Sequence, residues 1–451
     1  MPSLDWRVCG DVYVADQRGL DYLLVNRNTG AWAVSNLAGV AQLEWPEGRS
    51  ALPEELQQLL RDTVRGRGDL TDRDNPDLAP LVLIYKLTDK CNYRCTYCYD
   101  RSIARPRDAE RRSAAVREFL ARTLPVRPVM LLFHGGEPLL EFKEIRQLVL
   151  DHEHYAPERL LYSLQTNLSL MDQAKMDFLV EHRFGISVSL DGHNPKMNRL
   201  RVVGGRPDPY ELLKAKLRDL KGLRADRLGL LLTVGTHNVD ALTEALIAFQ
   251  EYGFRSVSFS FMQEVEPGTE CATPEALAGA MLDIAHAIVD GRIDSIACMT
   301  FIQWVWRIAY GKSGYVCLDS PCGAGSRVAT VLANGDIGPC DSIYSDAFYR
   351  PDVEQYFNAL VGDPLFRQLR TRSVRTMEPC SSCDVRAHCN GTCPGSANLT
   401  AGGIHTVDPH ECAFQYQLIR DVLWLLCDPH AGRRLLSYCH RHIAEKNTYG
   451  F

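Results

Sequence analysis

The chain has 451 residues, 45% apolar and 24% charged, with a formal net charge of −6. That length predicts two to four domains, and the acidic balance gives no reason to expect a nucleic-acid partner. No window approaches the roughly 18 uninterrupted apolar residues of a membrane span, and MPSLDWRVCGDVYVADQRG lacks the basic-then-apolar layout of a signal peptide, so a cytoplasmic protein with no membrane partner is expected.

Residues 1–75 read as a small α+β unit. DVYVAD (11–16), DYLLVNRN (21–28) and AWAVSN (31–36) lie between turn signals and predict a three-stranded meander. EELQQLLRDTVR predicts a helix starting near Pro53, with Leu56, Leu59 and Leu60 on one face. Arg61, Arg65 and Arg67 then mark a solvated helix end. TDRDNPDLAP (71–80) is polar, carries two prolines and reads as a linker.

From 80 to 262 the pattern alternates. Candidate strands are LVLIYKL (81–87), VMLLFH (129–134), LLYSLQT (160–166), GISVSLD (185–191), LGLLLTVG (228–235) and FRSVSFSF (254–261), with helical stretches between them. Six β/α repeats with continuous apolar strands predict an α/β fold whose parallel sheet is covered by helices, either an open barrel or a doubly wound sheet. Chemistry in both belongs at the C-terminal strand ends. Residues 263–315 read as a helical bridge in which Phe301, Trp304 and Trp306 pack. From 316 to 412 the texture is short segments rich in Gly, Ser, Pro and Cys, and 413–451 is an amphipathic helix with a basic tail.

Sixteen cysteines without an export signal favour metal or catalytic thiols over disulfides, and most lie in 91–98 and 317–412. Cys9, Cys271, Cys298, Cys427 and Cys439 stand apart and read as ordinary small buried residues. Cys91, Cys95 and Cys98 follow the first apolar strand with C-x3-C-x2-C spacing. Three thiolates on one loop can hold three irons of a four-iron cluster and leave the fourth open. A zinc knuckle would need a fourth ligand nearby, and the first histidine after the loop is His134. FHGGEPL (133–139) ends the second strand, where Gly135 and Gly136 allow close backbone approach and Glu137 offers a carboxylate to an ammonium group. LQTN (164–167) and SLDG (189–192) place short polar side chains at the next two strand ends.

CNYRCTYCYD, GGEPL, QTN and SLDG in this order resemble the radical SAM enzymes over residues 80–262. The resemblance implies a partial (β/α)6 TIM-type barrel in which Cys91, Cys95 and Cys98 hold a 4Fe-4S cluster. S-adenosyl-L-methionine would chelate the open iron and be cleaved reductively to a 5′-deoxyadenosyl radical that abstracts hydrogen from a substrate. By the same resemblance Tyr97 lies against the adenine, Gly135, Gly136 and Glu137 hold the SAM amino group, and Ser189 and Arg201 approach the ribose or carboxylate end. The family's His-Asp pair after SLDG is replaced by Met197 and Asn198, to which no role is carried over.

Downstream stand Cys317, Cys322, Cys340, Cys380, Cys383, Cys389, Cys393 and Cys412. Eight cysteines suffice for two fully ligated four-iron clusters, and their spacing alone equally suits two zinc sites. Their order resembles the SPASM domain. That resemblance implies one auxiliary 4Fe-4S cluster on Cys317, Cys322, Cys340 and Cys393 and another on Cys380, Cys383, Cys389 and Cys412, three clusters in all. Asp341, directly after Cys340, matches the general base of SPASM enzymes that oxidise peptide side chains, and a dry pocket is expected to raise its pKa.

The resemblance implies a maturase that cross-links or otherwise oxidises a ribosomally made precursor peptide, with a flavodoxin or ferredoxin as electron donor. The N-terminal unit resembles a leader-recognition element that works by strand addition, against the alternative of a packing cap on the barrel. An anaerobic sulfatase-maturase-like, formylglycine-forming enzyme is the first alternative. A non-catalytic iron–sulfur electron-transfer protein and a zinc scaffold are the others.

Overall fold

The computed structural model describes residues 7–36 and 81–449, apart from positions 10, 11, 20, 29, 31, 103–107, 203, 205–207, 264–267, 312–314 and 344 within them. The helix expected near Pro53, the arginines 61, 65 and 67 and the linker 71–80 lie outside the described residues. Four antiparallel strands come first, β1 Arg7–Cys9, β2 Val12–Arg18, β3 Asp21–Asn26 and β4 Trp32–Asn36, in that spatial order. The last three form the expected meander; β1 has three residues, too few to show alternation in sequence.

Six parallel strands come next: β5 Leu81–Thr88, β6 Val129–Gly135, β7 Leu160–Thr166, β8 Gly185–Ser189, β9 Leu228–Val234 and β10 Ser256–Phe261. Each pairs with the next. Helices α1 Ala109–Thr123, α2 Phe142–His152, α3 Gln173–Glu181, α4 Pro209–Asp219 and α5 Leu242–Tyr252 make the crossovers. Their ends obey local chemistry. The Asp108, Asp172 and Asp208 side chains accept backbone N–H bonds at the starts of α1, α3 and α4, and Gly253 at φ +104° ends α5.

The strands read as continuous apolar runs, yet burial alternates along β7 and β9. Leu160, Tyr162, Leu164 and Thr166 are buried on one face of β7, while Leu161, Ser163 and Gln165 are half-buried on the other. The first face packs under helices. The second carries the polar side chains Ser163 and Gln165.

Residues 263–315 contribute α6 Pro274–Val289, the two-residue strand β11 Ala297–Cys298 beside β10, and α7 Met299–Tyr310. Phe301 and Trp304 are buried in the core, and Trp306 packs on Tyr310 and His440. The cysteine-rich part then returns to the sheet. Strand β12 Val328–Val331 pairs parallel with β5, and β13 Ile337–Gly338 pairs antiparallel with β12. The sheet therefore has nine strands, ordered β11-β10-β9-β8-β7-β6-β5-β12-β13. Helices α8 Val353–Gly362, α9 Pro364–Thr371, α10 Pro394–Ala401, α11 Pro409–Cys427 and α12 Pro429–Tyr449 complete the described chain.

One hydrophobic core runs through all these parts, from Leu23 and Val25 of β3 to Leu435 of α12. The N-terminal sheet sits on α11. Asp16 accepts from Arg420 and from the Trp424 indole N–H at 2.9 Å, and Arg18 pairs with Asp421. Of the isolated cysteines, Cys298 and Cys439 are fully buried, Cys271 and Cys427 are half-buried, and the Cys9 side chain lies outside the described residues. Among the described residues no helix is long and apolar enough to cross a membrane.

Candidate active site at the C-terminal end of the sheet

The three-cysteine loop leaves β5 through a bulge. Lys86 pairs with His134 and Thr88 with Gly135, so Leu87 is extra on β5. Bulges bend a strand and re-aim the segment beyond it. The loop is then clamped by the β6 turn. Gly136 N–H donates to Thr88 O at 2.7 Å and Glu137 N–H to Lys90 O at 2.9 Å. A Cβ on Gly135 (φ +118°) would lie 2.4 Å from Thr88 O, and one on Gly136 2.2 Å from Lys90 O. The close approach these glycines permit is thus to the backbone of the cysteine loop itself. On its other side the loop hangs on the 200–202 segment, through Arg94 N–H to Val202 O at 2.8 Å and Thr96 N–H to Leu200 O at 3.0 Å.

Cys91, Cys95 and Cys98 are each half-buried. Tyr93 N–H points at Cys91 Sγ at 3.4 Å and the Asn167 amide at 3.8 Å. N–H donors of this kind suit the negative sulfur of a cluster ligand. Burial pushes the Cys91 and Cys95 thiols up, and Arg201 pulls Cys95 back down.

Glu137 is 1% exposed. Its carboxylate accepts from Leu139 N–H at 3.0 Å, Thr166 Oγ1 at 2.8 Å and Asn167 N–H at 2.8 Å. Burial raises its pKa, against the pull of these donors. A carboxylate has about four acceptor sites, so room for one further donor remains.

A second network surrounds Asp191, fully buried just beyond β8. Tyr97 OH donates to Asp191 Oδ2 at 2.6 Å, and Arg201 Nη1 donates to Tyr97 OH at 2.7 Å and to Asp191 Oδ1 at 3.3 Å. His237 stacks on Tyr97 with ring centroids 6.1 Å apart, its Nε2 standing 3.5 Å from Asp191 Oδ2. Among the described residues Arg201 Nε is buried without a hydrogen-bond partner, a donor suited to a carboxylate. Asn198 shapes the turn, accepting from Asp191 N–H at 2.9 Å and donating to Gly192 O at 2.9 Å. Met197 packs where a Cβ on Gly192 would otherwise sit, 2.3 Å from its sulfur. Ser189 is half-buried at the end of β8.

The third group is charged and buried. Lys86 (4% exposed) forms an ion pair with Asp100, lies 3.6 Å from Asp341 Oδ2, and stands 4.7 Å from the Tyr99 ring centroid. Tyr99 OH donates to Asp341 Oδ2 at 2.8 Å. His134 Nδ1 is 3.9 Å from Asp100 Oδ2. The sequence alone predicts that burial raises the Asp341 carboxyl. Burial does push it up, but Lys86 and the Tyr99 hydroxyl outweigh that and hold it below its ordinary value. Burial lowers the His134 imidazole.

Lys86 and His237 stand outside the motifs read from the sequence, and Tyr99, Asp100, His134 and Asp191 lie within those motifs with no role of their own assigned there. The available signal was a lysine inside an otherwise apolar strand, LVLIYKL, with a histidine at the matching end of the next strand.

Burial raises the pKa of each of the eight downstream cysteines, and in six of them a neighbouring thiolate raises it further. Cys317 couples to Cys322, Cys340 to Cys317 and Cys393, and Cys393 to Cys322 and Cys317. Separately, Cys380 couples to Cys412, Cys383 to Cys389 and Cys380, and Cys389 to Cys380 and Cys412. Burial pushes Cys380 up to about 11 and Cys389 up to about 12, so binding a metal group there must displace protons. Among the described residues no three His, Cys, Asp or Glu side chains converge as ligands of a single metal ion.

Comparison with known proteins gives two family matches. Residues 85–267 match the Radical SAM superfamily, and residues 322–384 match the SPASM iron-sulfur cluster-binding domain. The chain is 25% identical to the PqqA peptide cyclase of Granulibacter bethesdensis, covering 73% of this chain and 86% of that one. It is 24% identical to a serine-type anaerobic sulfatase-maturating enzyme of Klebsiella pneumoniae, covering 76% and 87%. In fold it is similar to anSMEcpe solved with bound AdoMet, at a TM-score of 0.62 and 19% identity, covering 80% of this chain and 100% of that one.

Proposed function

For a chain that carries a radical SAM domain over residues 85–267 and, beyond it, a SPASM domain over 322–384, we propose the role of a peptide maturase that oxidises or cross-links a residue of a ribosomally made precursor. The observation that carries this reading is the three-thiol loop, locked by the glycine turn and set beside the buried Arg201 Nε at one end of the parallel sheet.

Cys91, Cys95 and Cys98 would hold the 4Fe-4S cluster. With SAM bound there, the site would supply a 5′-deoxyadenosyl radical for hydrogen abstraction from the peptide. Arg201 would receive the SAM carboxylate, while Asp191 and His237 keep Tyr97 fixed along the adenine side. Ser189 would face the ribose. The remaining acceptor site of Glu137 would take the SAM ammonium, with Gly135 and Gly136 holding that turn against the loop. Asp341 would accept the proton lost from the substrate.

Cys317, Cys322, Cys340 and Cys393 would hold one auxiliary 4Fe-4S cluster and Cys380, Cys383, Cys389 and Cys412 another, supplying electron transfer, with a flavodoxin or ferredoxin as the electron donor. The leader would add to the edge of the N-terminal sheet at β1. Support for a peptide substrate comes from the relatives. One is named for a peptide, PqqA, and anSMEcpe has been solved with the Cp18Cys peptide.

Anaerobic reconstitution tests the reading. About twelve irons per chain, matched by sulfide, and 5′-deoxyadenosine formed from SAM with dithionite are expected. Zinc without sulfide, or SAM cleavage that survives Cys95→Ala, would refute it. The sulfatase-maturating relative keeps a second reading in view. An aldehyde captured by a hydrazide probe on a Cys- or Ser-containing peptide would select it.

A further inference from the structure

Lys86 and His134 are register partners on β5 and β6, so both side chains leave the same face of the sheet. That face points away from the helices, because the alternate residues Leu83, Tyr85 and Leu87 are fully buried on the other side. A lysine buried there needs compensation, and it receives it from two carboxylates of different origin. Asp100 belongs to the turn directly after Cys98; Asp341 comes right after Cys340, just beyond the β12–β13 hairpin that pairs beside β5. One ammonium therefore stands between the loop of the first cysteines and a ligand of the second set.

The hairpin has little freedom to place Asp341 elsewhere. β12 is register-locked to β5, with Thr330 beside Ile84 and Val331 beside Tyr85, and β13 pairs Gly338 with Thr330. Asp341 comes three residues after Gly338. Tyr349 OH donates to Cys340 O at 3.0 Å. Behind Asp341, a Cβ on Gly395 would lie 2.0 Å from Ser342 O, so the start of α10 presses on the next residue. Within that frame Asp341 Oδ2 takes the Tyr99 hydroxyl and faces Lys86, while Oδ1 lies 3.7 Å from Cys340 Sγ.

We propose that Lys86 is the positioning residue of this site. Its ammonium, clamped between Asp100 and Asp341, fixes Asp341 through one oxygen, leaves the other for the substrate proton, and biases the group held by Cys340. It acts through Asp341 and Cys340 and touches neither substrate nor SAM. The proposal rests on the reading of the site given above.

The test uses the fully reconstituted protein with Lys86→Met and Lys86→Arg. Iron and sulfide content are measured first, to establish that the variants carry all three clusters. Spectroscopic redox titration then tracks each auxiliary cluster. Lys86→Met should move the midpoint of the cluster ligated by Cys340 to a more negative potential, since loss of a nearby positive charge disfavours the reduced form. Lys86→Arg should restore it, and the cluster on Cys380, Cys383, Cys389 and Cys412 should not move. Three clusters with midpoints indifferent to Lys86→Met would overturn the proposal alone. Wild-type protein holding a single cluster would overturn the reading of the downstream cysteines and this proposal with it. If Lys86→Met fails to fold, Lys86→Gln is read the same way. Failure of both to load iron while Lys86→Arg loads normally would assign Lys86 to a purely structural ion pair and overturn the proposal.

Discussion

Gly136→Ala probes the contact on which the three-cysteine loop depends. The added Cβ would lie 2.2 Å from Lys90 O, 2.5 Å from Lys90 C and 3.0 Å from Asp89 C. All three are backbone atoms, so no side chain can swing aside, and the loop must retreat by roughly 1 Å or more to reach ordinary contact. Retreat breaks or stretches Gly136 N–H to Thr88 O and Glu137 N–H to Lys90 O. Two such bonds at about 0.5–1.5 kcal/mol each, with about 1–3 kcal/mol of overpacking, give a local cost of about 2–6 kcal/mol. That cost falls on the segment carrying Cys91, Cys95 and Cys98. Reconstituted Gly136→Ala is expected to lose about four irons per chain, keep the rest, and form no 5′-deoxyadenosine. Gly279→Ala is the control. It sits inside α6 with no atom of the described residues within 4 Å of its Cβ position, and alanine there is expected to be neutral or slightly stabilising. Full iron content and normal SAM cleavage in Gly136→Ala would refute the argument.

Other consequences are open to direct measurement. Burial places the folded His134 pKa below its unfolded value of about 6.5, so the unfolded chain binds the proton more tightly. Stability from this group is therefore complete above about pH 6.5 and is lost as pH falls, at up to about 1.4 kcal/mol per pH unit. His134→Gln should flatten the urea-unfolding profile of the apoprotein between neutral and mildly acidic pH, and an unchanged slope contradicts this. Arg201→Lys removes a forked donor that an ammonium does not replace, so SAM affinity by equilibrium dialysis should fall about ten- to hundredfold with iron content intact. Asp16→Ala removes the acceptor shared by Arg420 and Trp424. Hydrogen exchange should rise along β2 and β3, and SAM cleavage should be unaffected.

The elements that depend on local chemistry were legible in the sequence. The strand run LLYSLQT matches β7 at both ends, and the other five barrel strands fall within two residues of their expected limits. The cysteine spacings, GGEP and SLDG likewise mark real strand-end turns. What escaped depends on pairing across distance. Nothing local in VATV announces a partner on β5, and without that pairing Asp341 has no visible relation to Lys86. The expected direction of the Asp341 shift failed for the same reason, because burial is readable from neighbours in sequence and a compensating lysine on another strand is not. The glycines 135 and 136 are recognisable as points of close approach, but what approaches Gly136 is the chain 46 residues earlier. Asn198 shows the reverse case, since it stands where the family pattern is broken and still pins the SLDG turn through its amide.

The pairing of β12 with β5 also bears on how the protein is made. Thr330 and Ile84 are neighbours in the sheet but 246 residues apart in sequence. During synthesis β5 therefore emerges as an open sheet edge and waits for most of the chain before its second neighbour arrives. An unpaired edge invites association with other chains, and long-range pairing of this kind is slow. The strand that launches the three-cysteine loop is thus the last of the six barrel strands to be enclosed on both sides. Completion of the two iron–sulfur regions is tied in time: the first loop gains its final support only when the second region has folded against it. Chains truncated before residue 328 are expected to aggregate through β5 and not to persist as a free barrel domain.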